Sequence, residues 1–435
     1  MSTVFWHGSR VPEEIPSAKH PREQRNIPVL PPDALHGSHA TLFVYGAEGV
    51  LNTMNLSRIG RLVCRLTLFM LLIAGGAASA QDEMSDQTFF MTFIPNIQFS
   101  PIYVAMAKGY FADAGINLTL EYGDEPIGVD LIAAGQRQFG IISGEQVLAA
   151  RANGRPVVMV YEWFQQYPVG ITYPVDSGIE TVADLAGRNV GIPGRFGASY
   201  TGLIALLAAN GMTESDIDLE EIGFNAPEVV CVGGVEAAVV YLNNEPLQIN
   251  NRAAAGDCGD ITGVDVFTIA PVANMVSNGL ATNEETVAND PDLVSAMVAA
   301  FDAGLRDAIN NPAEAYLLSA AYIENLPMPD DLEAALTAAA EEQAAFLEEN
   351  PDADRETIAA RRADLFASLS EQFDADTLLQ FEVLLSTIEL WDADQLGYSD
   401  TEEWETTQNT LITMGYLSEE QDVTAAFTND FVPEE

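Results

Sequence analysis

The sequence predicts an α/β protein of two lobes, each a mostly parallel β-sheet flanked by helices, the two joined by two hinge strands. Three observations carry this. Short β-rich runs alternate with helical stretches from Thr88 onward, at lengths that right-handed strand–helix–strand crossovers require. Two β-rich segments, 169–173 and 279–282, stand where the chain would pass from one unit to the other and back. The 435 residues, 48% of them hydrophobic, supply enough apolar surface for two cores and too much for one.

The elements follow in order. Residues 89–93 read as a buried strand, and Ser100-Pro101 as a helix start, with Ser as cap and Pro at a position whose missing N–H costs nothing. That helix runs to Lys108 and stops at Gly109. Strands are expected at 117–121, 139–143 and 157–163, with helices at 128–134 and 145–153. In the second unit, 181–185 is a short helix, 189–192 a strand, 200–210 a helix, 218–223 a strand, 234–241 a helix and 247–249 a strand. Residues 283–380, rich in Ala, Leu and Glu, read as several helices, with Asp290-Pro291 and Asn311-Pro312 as start signals. The expected division is 86–173 for the first part of lobe 1, 174–278 for lobe 2, and 279–435 for the completion of lobe 1 and the C-terminal helices.

The front end reads differently. Within 54–80, Arg58, Arg61 and Arg65 form a basic region, 66–74 an apolar one, and Ala78-Ser79-Ala80 supplies the small residues of a cleavage point, the pattern of a secretory signal peptide. The apolar run is short for a membrane span, and an acidic chain follows it. Cys64, followed by Arg65, does not fit a lipid-attachment cysteine. Since a signal peptide belongs at an N-terminus, Met54 is the expected start, and 1–53 a mis-called or disordered extension. The expected location is periplasmic or otherwise extracytoplasmic.

All four histidines (His7, His20, His36, His39) lie in that extension, so the chain from Gln81 has none, and one lysine, Lys108. It carries 11 basic against 60 acidic residues, a charge near −49. Such a surface repels nucleic acid and anionic lipid. Scarce lysine beside abundant Asp and Glu suits high salt, where screening shortens the reach of self-repulsion. Two cysteines remain, Cys231 and Cys258; in an oxidising compartment an even pair is expected as a disulfide. Their spacing and the missing histidines exclude a CxxC redox pair or a zinc site.

The run from Phe93 to Ile116, FIPNIQFSPIYVAMAKGYFADAGI, resembles the opening of ABC-transporter substrate-binding proteins of the thiamine-precursor/sulfonate (thiamine pyrimidine synthase-like) family: a strand, an amide-bearing loop, then A-x-x-K-G-Y-F-x-x-x-G-I/L. FGIISGEQ from Phe139, DLAGRNVGIP from Asp184, NNEP from Asn243, and the closing 404–417 with Asn429-Asp430-Phe431 are similar in the same order, so the resemblance covers most of 88–435. It implies a type II periplasmic-binding-protein fold and delivery of a small molecule to an ABC permease; a monomer without a cofactor is expected. Members of the family bind aminopyrimidine precursors of thiamine, alkanesulfonates or riboflavin. One relative is an enzyme, the fungal-type pyrimidine synthase, which consumes its own histidine and uses a pyridoxal-phosphate lysine and an iron-binding cysteine cluster. This chain lacks the histidine and the cluster, and its one lysine sits in the AKGYF motif, so a non-catalytic binder is expected.

Ligands of open α/β sheets sit beyond the carboxyl ends of strands, where loops enter helix N-termini. Four loops qualify. The first, around Asn96 and Gln98, adds Phe99 and Tyr103; its amides offer donors and acceptors to a heterocycle, or serve ordinary capping. The second is Ser143-Gly144-Glu145-Gln146, in which Glu145 is either a helix-start residue or an acceptor for ligand N–H groups. In the third, Trp163, Phe164, Gln165, Gln166 and Tyr167 suit stacking on a flat ring with hydrogen bonds to its edge, one or two of the aromatics facing the ligand. The fourth, Arg195, Phe196, Gly197, Ala198, Ser199 and Tyr200, opens a helix at which backbone N–H groups could meet an anion or a carbonyl; Arg195 pairs either a ligand anion or nearby carboxylates. Asn225, Glu236, Asn244 and Glu245 are further candidates from lobe 2. Aromatics and amides favour a planar heteroaromatic vitamin or precursor, riboflavin or an aminopyrimidine, over a sulfonate, and their number tilts the choice toward riboflavin. The alternatives are a sulfonate binder, an enzyme in which Glu145 does acid–base work, or a structural protein.

Overall fold

Aromatic and β-branched residues between Ser85 and Glu162 build four of the five strands of the first sheet, in a computed structural model that describes residues 84–434. The expected signal peptide, the extension, the start at Met54 and the reading of Cys64 lie outside the described residues. Strand β1 (Ser85–Thr92) pairs in parallel with β2 (Ile116–Gly123) and β3 (Phe139–Ser143). β10 (Asn278–Asn283) runs antiparallel between β3 and β4 (Val157–Glu162), giving the order β2-β1-β3-β10-β4. β3, β4 and β10 are buried along their whole length, which is why FGIIS and VVMVYE are continuous apolar runs without alternation.

The second sheet repeats the plan. β6 (Asn189–Ile192) pairs in parallel with β7 (Asp218–Glu221) and β8 (Ala237–Tyr241), and β5 (Val169–Pro174) runs antiparallel between β8 and β9 (Val264–Thr268). The order is β7-β6-β8-β5-β9. The two segments expected to be hinge strands are therefore the interior antiparallel strands, β10 of one sheet and β5 of the other. The chain passes between lobes in the adjoining loops, 163–168 and 269–277. A strand stretched across two sheets would leave ladder groups unpaired, whereas a strand inside one sheet satisfies them on both sides.

Helices cover both sheets. In lobe 1 these are α1 (Ser100–Ala107), α2 (Tyr110–Asp113), α3 (Glu125–Ala133) and α4 (Gly144–Ala152); in lobe 2, α5 (Gly197–Ala209), α6 (Ala226–Cys231) and α7 (Glu245–Ala255). Two expectations are corrected here. The helix expected over 234–241 is strand β8, whose Ala-Ala-Val-Val run is buried on both faces, so its alanines signal close packing rather than helix propensity. The strand expected at 247–249 lies inside α7, which starts at Glu245-Pro246 and keeps Ile249 in the core. Cys231 and Cys258 are disulfide-bonded, tying the end of α6 to the loop after α7.

The chain then returns to lobe 1 through α8 (Glu284–Asn289), α9 (Pro291–Asn310) and α10 (Pro312–Ser319); Asp290 and Asn311 cap the last two. α9 lies so close to α1 that a Cβ on Gly304 would stand 2.2 Å from the Pro101 carbonyl. The motif lysine Lys108 pairs with Asp307 at 2.7 Å and Glu314 at 2.9 Å, and Tyr110 donates to the same Asp307, so AKGYF staples α1 and α2 to α9 and α10. α11 (Asp330–Glu349), α12 (Arg355–Ser370), α13 (Ala375–Trp391) and α14 (Thr401–Thr413) complete the described α-helices. α13 brings Trp391 against Trp163, ring centroids 5.4 Å apart. None of the described helices is long and apolar enough to cross a membrane.

Candidate ligand-binding site

The β1 and β3 strands of lobe 1 and the β6 and β8 ends of lobe 2 border a common cavity between the two sheets. Lobe 1 contributes Thr92 and Phe93 beyond β1, Gln98 and Phe99, Glu125 at the start of α3, Trp163 and Phe164 of the first crossing loop, and Asn278 of β10. Lobe 2 contributes Pro193, Phe196–Ser199 at the start of α5, Gly223 and Phe224, Val239–Tyr241 of β8, and Glu245. Phe93 holds a left-handed φ of +81°, and its ring meets that of Phe224 edge to face at 4.6 Å, one ring from each lobe.

The polar groups are carboxylates, amides and hydroxyls. Glu125 Oε1 accepts from the Ser143 N–H at 2.6 Å and the Ser143 hydroxyl at 2.5 Å. Burial pushes Glu125 up, and these two donors oppose it. Glu145 lies near it with both oxygens buried and neither meeting a donor; burial first, then Glu125, push it up to about 8. Glu245 accepts from the Tyr241 N–H at 2.9 Å and from Asn244 at 3.1 Å, while burial raises its pKa. Side-chain pairs bridge the lobes at the cavity: the Tyr241 hydroxyl donates to Asn278 Oδ1 at 2.7 Å, and Asn243 Nδ2 donates to Gln98 Oε1 and to the Thr387 hydroxyl of α13, each at 2.7 Å. Among the described residues no Lys or Arg lines the cavity.

Of the residues singled out in the sequence, Gln98, Phe99, Trp163, Phe164, Phe196, Gly197, Ala198, Ser199 and Glu245 line this cavity. The others are placed elsewhere. Asn96 caps the turn at 97–99, accepting from the Gln98 N–H at 3.0 Å. Tyr103 is core, stacked on Tyr322 at 5.0 Å and bonded to the Tyr122 hydroxyl. Ser143 holds Glu125 from behind. Glu145 and Gln146 line a separate pocket beside Tyr200 and Tyr416. Gln166 donates to the Glu389 carbonyl at 3.2 Å, away from the cavity. Tyr167 is buried beneath α5 and donates to the Ala198 carbonyl at 2.6 Å, so it supports the lining without joining it. Tyr200 turns outward to Glu214, Asn225 caps its own turn at the Ile222 carbonyl, and Arg195 pairs with Glu214 and Glu221.

Phe93, Glu125, Phe224, Tyr241 and Asn278 line it as well. Glu125-Pro126 directly after a strand is the same acid-at-helix-start signal that pointed to Glu145. Phe93 was hidden because it reads as the last residue of an apolar strand, and only its positive φ turns it into the cleft.

The model of the family described as NMT1/THI5 like matches residues 96–315. The riboflavin-binding protein RibY of Chloroflexus aurantiacus is 33% identical over 368 residues, 83% of this chain and 90% of that protein. A 4-amino-5-hydroxymethyl-2-methylpyrimidine phosphate synthase of Legionella pneumophila is 24% identical over 233 residues, 53% of this chain and 72% of that protein. Among solved structures, the periplasmic sulfonate-binding protein SsuA of Methylobacillus flagellatus KT superposes with a TM-score of 0.50 at 14% identity, over 80% of this chain and 93% of that one. That likeness extends to the fold alone.

Proposed function

The chain belongs to the NMT1/THI5-like family, and from that premise we propose that it is an extracytoplasmic solute-binding protein that captures a planar heteroaromatic vitamin or precursor, riboflavin in the first place, and presents it to an ABC permease. One observation carries the reading: a cavity between two lobes that combines aromatic faces with hydrogen-bond acceptors and has no cation in its lining. Phe93, Phe99, Phe164, Phe196 and Phe224 offer surfaces to a flat ring, and Glu245, Asn278 and Gln98 offer edges to its N–H and carbonyl groups. A sulfonate would face carboxylates with no basic partner, which disfavours it. Similarity to a riboflavin-binding protein over most of the chain supports the flavin over the smaller pyrimidine.

Capture rather than turnover is supported by the side chains at hand. No histidine follows His39, and Lys108 is spent on Asp307 and Glu314, outside the cavity. Binding then works by population shift: an open form admits the ligand, and contacts from both lobes favour closure. Asn243–Gln98, Asn243–Thr387 and Tyr241–Asn278 are among the polar contacts that favour the closed form.

Thermal unfolding of the purified protein in molar salt, with riboflavin, 4-amino-5-hydroxymethyl-2-methylpyrimidine or taurine added, tests the proposal. A ligand at about 100 times its Kd adds about 2.7 kcal/mol by mass action. Riboflavin is expected to raise the Tm and be recovered unchanged. No shift with any of the three overturns the proposal, and chemical conversion of the ligand replaces it with an enzyme.

A further inference from the structure

We infer that Glu125 makes this cleft selective for uncharged ligands, by bringing a carboxyl group of lobe 1 onto the N-terminus of α5 in lobe 2, where an anionic ligand group would otherwise be held. The inference rests on the solute-binding reading and adds the rule by which the site chooses. α5 is 13 residues long, and no side chain caps its start. Gly197, Ala198 and Ser199, its first three residues, line the cavity. Unpaired N–H groups and the helix dipole make such an end attractive to phosphate, sulfonate or carboxylate.

In this protein the place is taken. A Cβ on Gly197 would stand 2.4 Å from Glu125 Oε2, and Gly197 holds a φ of +65°. No anionic group fits between the two. Glu125 is not free to swing away, because Ser143 donates to its other oxygen from both its N–H and its hydroxyl. Glu145 lies nearby, buried and without a donor, and Glu245 lines the cavity as well. An incoming anion thus finds the start of α5 already occupied by a carboxyl group, and no basic side chain in the lining offsets the cost of burying its charge. The uncharged form of a vitamin is accepted and its phosphomonoester refused. A phosphoester-hydrolysing reaction must therefore precede capture wherever the ligand is released in phosphorylated form.

Binding of riboflavin and riboflavin 5′-phosphate to the full chain, followed by flavin fluorescence at fixed ionic strength, tests this. The wild type is expected to prefer riboflavin by about 100-fold, and Glu125→Gln to shrink that ratio by about tenfold, chiefly by gaining affinity for the phosphate. Glu125→Ala, which also vacates the space beside Gly197, is expected to shrink it further and serves if the glutamine variant does not fold. Equal affinities in the wild type, or an unchanged ratio in the variants, overturn the inference. If the wild type binds neither flavin, the flavin reading has failed. The inference is then read from thermal shifts with methanesulfonate, which should stabilise Glu125→Ala and leave the wild type unmoved. An equal response of the two proteins overturns it.

Discussion

Glu145 and Gly197 show how much of the site is decided by single residues. Glu145 is buried with no donor at either oxygen, and its carboxyl is pushed up to about 8. The unfolded chain releases this proton near 4.5, whereas the folded chain holds it to about 8. Between those values the folded state binds more protons, so stability is fully present below about 4.5 and is lost as pH rises through about 8. The expected slope from this group approaches 1.4 kcal/mol per pH unit at its steepest. Thermal unfolding across pH 5–8 checks it: Glu145→Gln should flatten the dependence, and a variant as steep as the wild type would mean the carboxyl ionises freely. Gly197→Ala places a methyl 2.4 Å from Glu125 Oε2 at a φ of +65°. It should cost about 1–2 kcal/mol of backbone strain and hold the lobes apart. Titration should show ligand affinity falling by about tenfold or more, most of it as faster dissociation.

At the scale of elements, the aromatic floor of the cleft depends on a helix that arrives more than 200 residues after the loop it supports. Trp163 packs between Phe99 and Trp391, at 5.8 and 5.4 Å, with Phe301 on a third side. Only a small edge of Trp163 reaches the cavity, 2% of its surface being exposed. Trp391→Ala on α13 should therefore destabilise the protein by about 3–5 kcal/mol and also loosen ligand binding, although Trp391 does not line the cavity. Calorimetric unfolding and ligand titration of the variant check both. The Cys231–Cys258 bond closes a 27-residue interval in lobe 2. The chain-entropy relation gives it about 3.5 kcal/mol. Reduction, or Cys231→Ser with Cys258→Ser, should lower the Tm. Protease cleavage should then appear first between α6 and α7, and a cut in lobe 1 instead would contradict this placement.

For the whole molecule, a net charge of −47 is the dominant quantity. Arginines among the described residues are mostly spent on carboxylates, for instance Arg137 on Glu121 and Arg188 on Glu236, but such half-exposed pairs contribute little each. Most of the acid surface is left to repel itself. Raising potassium chloride from about 0.1 to about 1 M shortens the screening length from about 10 to about 3 Å. The Tm should rise over this range, with sucrose as a control for general exclusion from the surface. A Tm that falls or stays level would show that self-repulsion does not limit stability. The excess of acid also keeps anionic partners at a distance, in line with the selectivity inferred for the cleft.

The amino-acid sequence determined, by itself, the two-sheet α/β plan, the family, the order of most elements, and the loops from which half the cavity is built: Phe99, Trp163, Phe164, the start of α5 and Glu245. These are local matters of burial pattern, helix-start chemistry and Gly or Pro punctuation, and each can be read within about ten residues. Tertiary structure alone decided which side of each loop faces the ligand. Gln166, Tyr167 and Tyr200 have the chemistry of a binding site, yet a carbonyl on α13, a carbonyl on α5 and Glu214 claim their polar groups. Phe93, Glu125 and Asn278 join the site because lobe 2 stands opposite them, and Tyr241 because lobe 1 stands opposite it. Such a pairing is set by how two sheets close over one another, and no stretch of sequence contains both halves of it.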